Sequence, residues 1–141
     1  MLRQLILACV AVVAMQPHAQ PAHAAGPSPH QPPSKMEPVP GTSLKRITLT
    51  EKAAARLDIQ TGKIASDPSG KKIAPYLAVI YDVSGQPWVY LNPGLLTYVR
   101  ERVTIEKLVG ASAYLTDGPD VGVAVVTVGV AELFGLERGL K

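Results

Sequence analysis

Thr97-Tyr98-Val99-Arg100-Glu101-Arg102-Val103-Thr104-Ile105-Glu106-Lys107-Leu108 is the stretch that decides the architecture. Val103 and Ile105 alternate with Thr104 and Glu106, the two-residue period of a half-buried strand. The alternation slackens at residues 100–102, where a bulge or an edge position is expected. Val109-Gly110-Ala111-Ser112 then turns the chain, residues 113–116 return as a strand, and Asp117-Gly118-Pro119 ends it. Residues 123–128 are apolar without interruption, as in a strand buried on both faces. Gly129 closes that strand, residues 131–134 form a last helical turn, and residues 136–141 are expected as a flexible tail.

Upstream, the same grammar repeats. Trp88-Val89-Tyr90-Leu91 is a short strand of aromatic and branched residues, broken by Asn92-Pro93-Gly94. Residues 72–81 read as a strand, with Pro75 marking an edge or a bulge. Asp67-Pro68-Ser69-Gly70 and residues 82–87 are turns, with Pro and Gly where turn geometry favours them. Lys45-Arg46-Ile47-Thr48-Leu49 alternates as a strand. Thr50 then caps a short alanine-rich helix, with Glu51 in its first turn where the helix dipole favours a carboxylate. The reading is mainly all-β: a small β-roll or barrel of about seven strands with one short helix over residues 45–135.

The first 44 residues differ in kind. Arg3, an apolar run of 11 residues from Leu5 to Met15, and Ala22-His23-Ala24 match the three parts of a secretory signal, expected to span residues 1–24. The run is shorter than the roughly 20 residues that a membrane-spanning helix needs. A competing reading takes Ile6-Leu7-Ala8-Cys9 as a lipoprotein box, which leaves too few residues upstream for a signal core. Eight prolines fall between Pro17 and Pro40. Proline removes backbone donors and blocks helix and ladder, so residues 25–44 are expected as a disordered, semi-extended leash.

Composition narrows the chemistry. The net charge is +3, with no basic stripe, which argues against nucleic acid as a partner. Cys9, the one cysteine, lies in the signal. The three histidines stand at positions 18, 23 and 30, so residues 45–135 hold no Ser/His/Asp or Cys/His set. No phosphate-cradling glycine loop with a following lysine is present. A non-enzymatic protein without catalytic residues or cofactors is expected. His30 and Met36 are candidate soft-metal ligands on the leash, though two ligands without supporting shells make a poor site. Trp88, Tyr90, Tyr98, Arg100 and Arg102 are candidates for a partner surface, because Tyr, Trp and Arg are enriched at interface cores. The plainer reading makes the aromatics core and the arginines a solvated face. Asp117, Asp120 and Glu132 read as turn chemistry and surface, not as a carboxylate site.

Several segments in order carry a resemblance. They are Ala78-Val79-Ile80-Tyr81-Asp82, Gly85, Trp88-Val89-Tyr90 and Asn92-Pro93, followed by Leu96-Thr97-Tyr98-Val99-Arg100 with Val103-Thr104. Leu115-Thr116-Asp117-Gly118-Pro119, Val125-Val126-Thr127-Val128-Gly129 and Ala131-Glu132-Leu133-Phe134-Gly135 complete the set. Together they resemble the membrane-proximal domain of periplasmic adaptor subunits, or membrane fusion proteins, of resistance–nodulation–division efflux pumps, including the heavy-metal branch. Residues 47–61 resemble the strand that enters the same domain from the far end of a full adaptor. A full adaptor inserts lipoyl-like, barrel and α-hairpin domains between these segments, whereas here Asp67-Pro68-Ser69-Gly70 joins them. The resemblance implies a periplasmic docking module that contacts an inner-membrane transporter or an adaptor partner near the membrane. It also lends interest to Met36, since heavy-metal adaptors capture metal near N-terminal methionines. The alternatives are a periplasmic metal carrier using the His30 and Met36 leash, and a truncated adaptor remnant.

Overall fold

The computed structural model describes residues 32–140. The expected signal peptide and His30 lie outside them. In chain order the strands are β1 (Ser34–Pro38), β2 (Lys45–Leu49), β3 (Gln60–Lys63), β4 (Ala65–Ser66), β5 (Lys72–Pro75), β6 (Ile80–Tyr81), β7 (Pro87–Gly94), β8 (Thr97–Arg102), β9 (Thr104–Val109), β10 (Ser112–Asp117) and β11 (Ala124–Val128). Helix α1 (Glu51–Arg56) follows β2, a single 3-10 turn (Tyr76–Ala78) follows β5, and helix α2 (Val130–Arg138) follows β11.

The fold is all-β, as expected, but it does not close into a barrel. The strands form two antiparallel sheets. The larger has the order β1-β2-β8-β7-β11-β3, with β6 also on β7. The smaller has the order β4-β5-β10-β9. The stretch expected as one strand over residues 97–108 is two. The backbone leaves the large sheet after Arg102 and joins the small one at Thr104. Val103, at the switch, is a core residue whose N–H donates to Pro87 O at 3.1 Å. Ile64, equally buried, makes the matching switch between β3 and β4. These two switches, a third between β5 and β6, and the additional strand β1 raise the count from about seven to eleven among the described residues.

Alternation along the central strands builds three layers, because successive side chains point to opposite faces. On β7, Val89 points toward the small sheet and Tyr90 toward the helices; on β11, Val125 and Val126 divide in the same way. The expectation that this last strand is buried on both faces holds. One core therefore joins Ile47, Leu49, Tyr90, Tyr98 and Val126 to Ala53 of α1 and to Val130 and Leu133 of α2. The other joins Val89 and Val125 to Ile64, Ala74, Val103, Ala113 and Leu115 between the sheets.

Two boundaries differ from expectation. The leash does not extend to residue 44: Ser34–Pro38 pairs antiparallel with Lys45–Leu49, from Ser34 opposite Leu49 to Pro38 opposite Lys45. Residues 34–37 contain no proline, and an edge strand needs donors on one side only. The C-terminal segment is not a loose tail either. Helix α2 runs to Arg138 and closes with Gly139 in the left-handed region. The Leu140 N–H donates to Gly135 O at 2.9 Å and the Gly139 N–H to Leu136 O at 3.0 Å, a Schellman closure that satisfies the last carbonyls. Gly129 starts α2 at φ 87°, where an added Cβ would collide with Ile59 Cδ1, so the strand-to-helix corner requires glycine.

Candidate functional site

Strands β7 and β8 pair with Trp88 opposite Arg102 and Tyr90 opposite Arg100. Directly opposed residues share a face, so Tyr90 and Arg100 stand together under α2. Glu137 reaches them from the last turn of that helix. The Tyr90 hydroxyl donates to Glu137 Oε2 at 2.6 Å. Arg100 donates through Nη2 to Glu137 Oε1 at 3.2 Å. Arg100 Nε lies 3.1 Å from Oε2, yet its N–H is not aimed there and has no acceptor. The guanidinium carbon sits 4.3 Å from the Trp88 ring centre and 5.5 Å from that of Phe134. Lys45 Nζ donates to the Glu137 backbone carbonyl at 3.1 Å, which ties β2 to the same turn.

The electrostatics follow from burial. Removal from water and the adjacent Glu137 carboxylate hold the Tyr90 hydroxyl well above its usual range, so it stays a protonated donor. Trp88 is anchored at its other edge, where Nε1 donates to Asp82 Oδ2 at 3.0 Å. Asp82 also accepts from the Ser84 and Gln86 N–H groups, and the Gln86 bond followed by that of Trp88 lowers its carboxyl below the ordinary range. The arrangement is a paired acid, base and hydroxyl sealed under a helix, which serves to fasten α2 to the sheet. Chemically it offers neither an open face nor a nucleophile.

Three of the five candidates for a partner surface are therefore core, as the plainer reading of the aromatics has it for Tyr90 and Tyr98 but not for Arg100. Tyr90 is 0%, Tyr98 4% and Arg100 8% exposed, because the strand face that carries them is roofed by α1 and α2. Trp88 is half-buried and Arg102 is exposed, its Nη2 bonded to Gln86 Oε1. Beside Arg102, Tyr81, Gln86, Pro87, Val103, Thr104 and Ile105 line an open depression of about 400 Å³. Met36 lies on β1 opposite Ile47 and is largely exposed. No group of three or more His, Cys, Asp or Glu converges among the described residues. Asp120 meets Lys72 Nζ at 3.0 Å, and that ammonium also donates to Gly118 O at 2.7 Å, closing the turn. Glu132 is apart from them, exposed in the first turn of α2.

Sequence reasoning misses Glu137, because it falls in the expected tail. The available signal is helical spacing: Val130, Leu133 and Glu137 recur on one face, and all three are buried. Also unanticipated is an exposed apolar segment that runs from the crossing between the sheets, at residues 76–79, through β6 into the turn before β7. Leu77 is 72% and Val83 84% exposed, and Tyr76 and Tyr81 flank them on the surface. Burial first, and the neighbouring Tyr76 second, push the Tyr81 hydroxyl above its usual range.

Comparison with known proteins gives no match: no family model, no curated protein and no solved structure matches the chain.

Proposed function

We propose that the chain is a non-enzymatic, exported docking module that works in the bacterial periplasm and seats against an inner-membrane efflux transporter or an adaptor partner. One observation carries the docking part of this reading. Tyr76, Leu77, Tyr81 and Val83 expose apolar surface on a segment clamped at both ends by sheet. Exposed aromatic and aliphatic side chains held on a rigid frame suit association, since little ordering entropy is lost on binding. Arg102 and Trp88 extend the surface with a cation and a ring, groups favoured at interfaces. The efflux part rests on the adaptor-like segments quoted from the sequence.

Affinity capture with the tagged protein from envelope extracts, in mild detergent, tests the reading. An inner-membrane transporter or adaptor should be recovered. Recovery should fall by about tenfold or more for a Leu77→Asp, Val83→Asp variant, as expected when about 1.4 kcal/mol of binding is lost. Both positions are exposed, so the variant should fold normally. Recovery of neither class of protein, or equal recovery by the variant, defeats the proposal.

A further inference from the structure

Strand β9 ends the small sheet, and no strand lies beyond it among the described residues. Its outer edge therefore presents backbone donors and acceptors that another strand can use. The sequence of that edge is self-complementary. If two copies of β9 pair antiparallel about a two-fold axis between Glu106 and Lys107, each Glu106 stands opposite the second copy's Lys107. Both ends of the axis then carry an opposite-charge pair, which favours this register over its neighbours. Ile105 meets Leu108.

The local geometry supports the same register. Ile105 is opposite Leu115 and Leu108 opposite Ala113, with a register shift between these positions. The shift cancels one step of alternation, so Ile105 and Leu108, opposite the buried Leu115 and Ala113, lie on the same face although three residues apart; a second shift, between Leu115 and Asp117, ends this match before Thr104. Directly opposed residues of paired strands share a face, so an Ile105–Leu108 pair is what the two-fold register requires. Leu108 is exposed in the single chain, 48%, and gains Ile105 as an apolar neighbour in the pair. Outside this role Glu106 holds Lys71 at 2.6 Å in an exposed ion pair, and Lys107 lies 4.8 Å from the Tyr114 ring. Neither contact fixes β9 in the fold.

We infer that the occupant of the β9 edge is a second copy of this chain, joined through Ile105–Leu108 so that the two small sheets meet across a two-fold axis. This goes beyond the docking reading and does not depend on it: Glu106, Lys107 and Leu108 take no part in the Tyr76–Val83 surface, which meets β9 where Tyr81, Thr104 and Ile105 line one depression.

Sedimentation equilibrium of the purified protein, with Glu106→Lys, Lys107→Glu and the double exchange, tests the inference. The wild type should dimerise reversibly, roughly in the micromolar range expected of a small interface. Each single exchange sets like charges opposite each other twice and should weaken the dimer by about tenfold or more. The double exchange restores opposite charges across the axis and should restore the dimer. The Glu106–Lys71 pair is lost in the double variant and in Glu106→Lys alike, so that loss cancels when the two are compared. Circular dichroism and melting of each variant should match the wild type, and Lys107→Glu alone still gives the test if Glu106→Lys folds poorly. A monomer at all concentrations overturns the inference, and so does capture of only a foreign strand at this edge. A dimer indifferent to the single exchanges, or a double variant as weak as either single one, overturns it equally.

Discussion

The two faces of the large sheet are packed by different means. Toward the small sheet the core is aliphatic and partly made of small residues: Ala74, Ala78 and Ala113 are fully buried among Val89, Val103, Val125 and Ile64. Toward the helices the core contains large aromatics and a buried ion pair, with Tyr90 bridging to Glu137. The difference lies in what each face must hold. Two sheets approach closely when small side chains line the seam, and their backbone bonds are already satisfied by ladders. A short helix such as α2 has little intrinsic stability of its own and takes most of it from tertiary contacts. Arg100 and Glu137 give it one orientation, because any other leaves a buried charge unpaired.

The most damaging way to probe the contrast is to remove one partner of the ion pair. Glu137→Leu should cost about 3–5 kcal/mol, since it strands the Arg100 guanidinium in the core. The combination Arg100→Met, Tyr90→Phe, Glu137→Leu should recover most of that loss, because apolar groups of similar size leave no charge behind. Urea denaturation of the three proteins (wild type, single and triple variant) measures both effects. A single variant as stable as the wild type would mean that α2 is held by its apolar face alone.

The aliphatic seam should fail in another way. Ala113 is fully buried, and Ala74 stands opposite it on β5. Ala113→Leu adds volume where the sheets touch and should cost up to about 3 kcal/mol, as overpacked cores do. The same measurement should give no change in slope with urea if the sheets part slightly without melting. Tolerance of leucine would show that the seam is looser than its burial implies.

Much of this contrast is legible in the residues, and the illegible part has definite causes. The Thr50 cap forms as expected, with Oγ1 accepting from the Ala53 N–H at 3.2 Å. So does the turn at Asp67-Pro68-Ser69-Gly70, where Asp67 Oδ1 accepts from the Ser69 and Lys71 N–H groups at 2.8 and 2.9 Å. These are local devices whose partners lie within a few residues. The switch at Val103 is hidden because a buried valine in an alternating run looks the same whether the sheet continues or changes. Strand β1 is hidden by the prolines around it. The site is the least legible part. Tyr90 reads as core or partner surface and Arg100 as surface on either reading, since the partner that both share under α2 is Glu137, 37 residues after Arg100.

The smallest expected effect isolates the hydroxyl within the ion-pair network. Tyr90→Phe removes a hydrogen bond to a charged group and should cost about 2 kcal/mol near pH 8. Its pH dependence has a definite sign. The folded protein holds the Tyr90 hydroxyl above its ordinary value, whereas the unfolded chain ionises near pH 10. A raised value means that the contribution is complete below about pH 10 and is lost as the pH climbs beyond it. Each unit above that point removes about 1.4 kcal/mol, so the gap between wild type and Tyr90→Phe should close near pH 11.5. Lysines and the remaining tyrosines titrate alike in both proteins and cancel in the difference. Denaturation midpoints at half-unit intervals from pH 8 to 11.5 follow the gap. A gap constant across that range would place the Tyr90 hydroxyl in water rather than against Glu137.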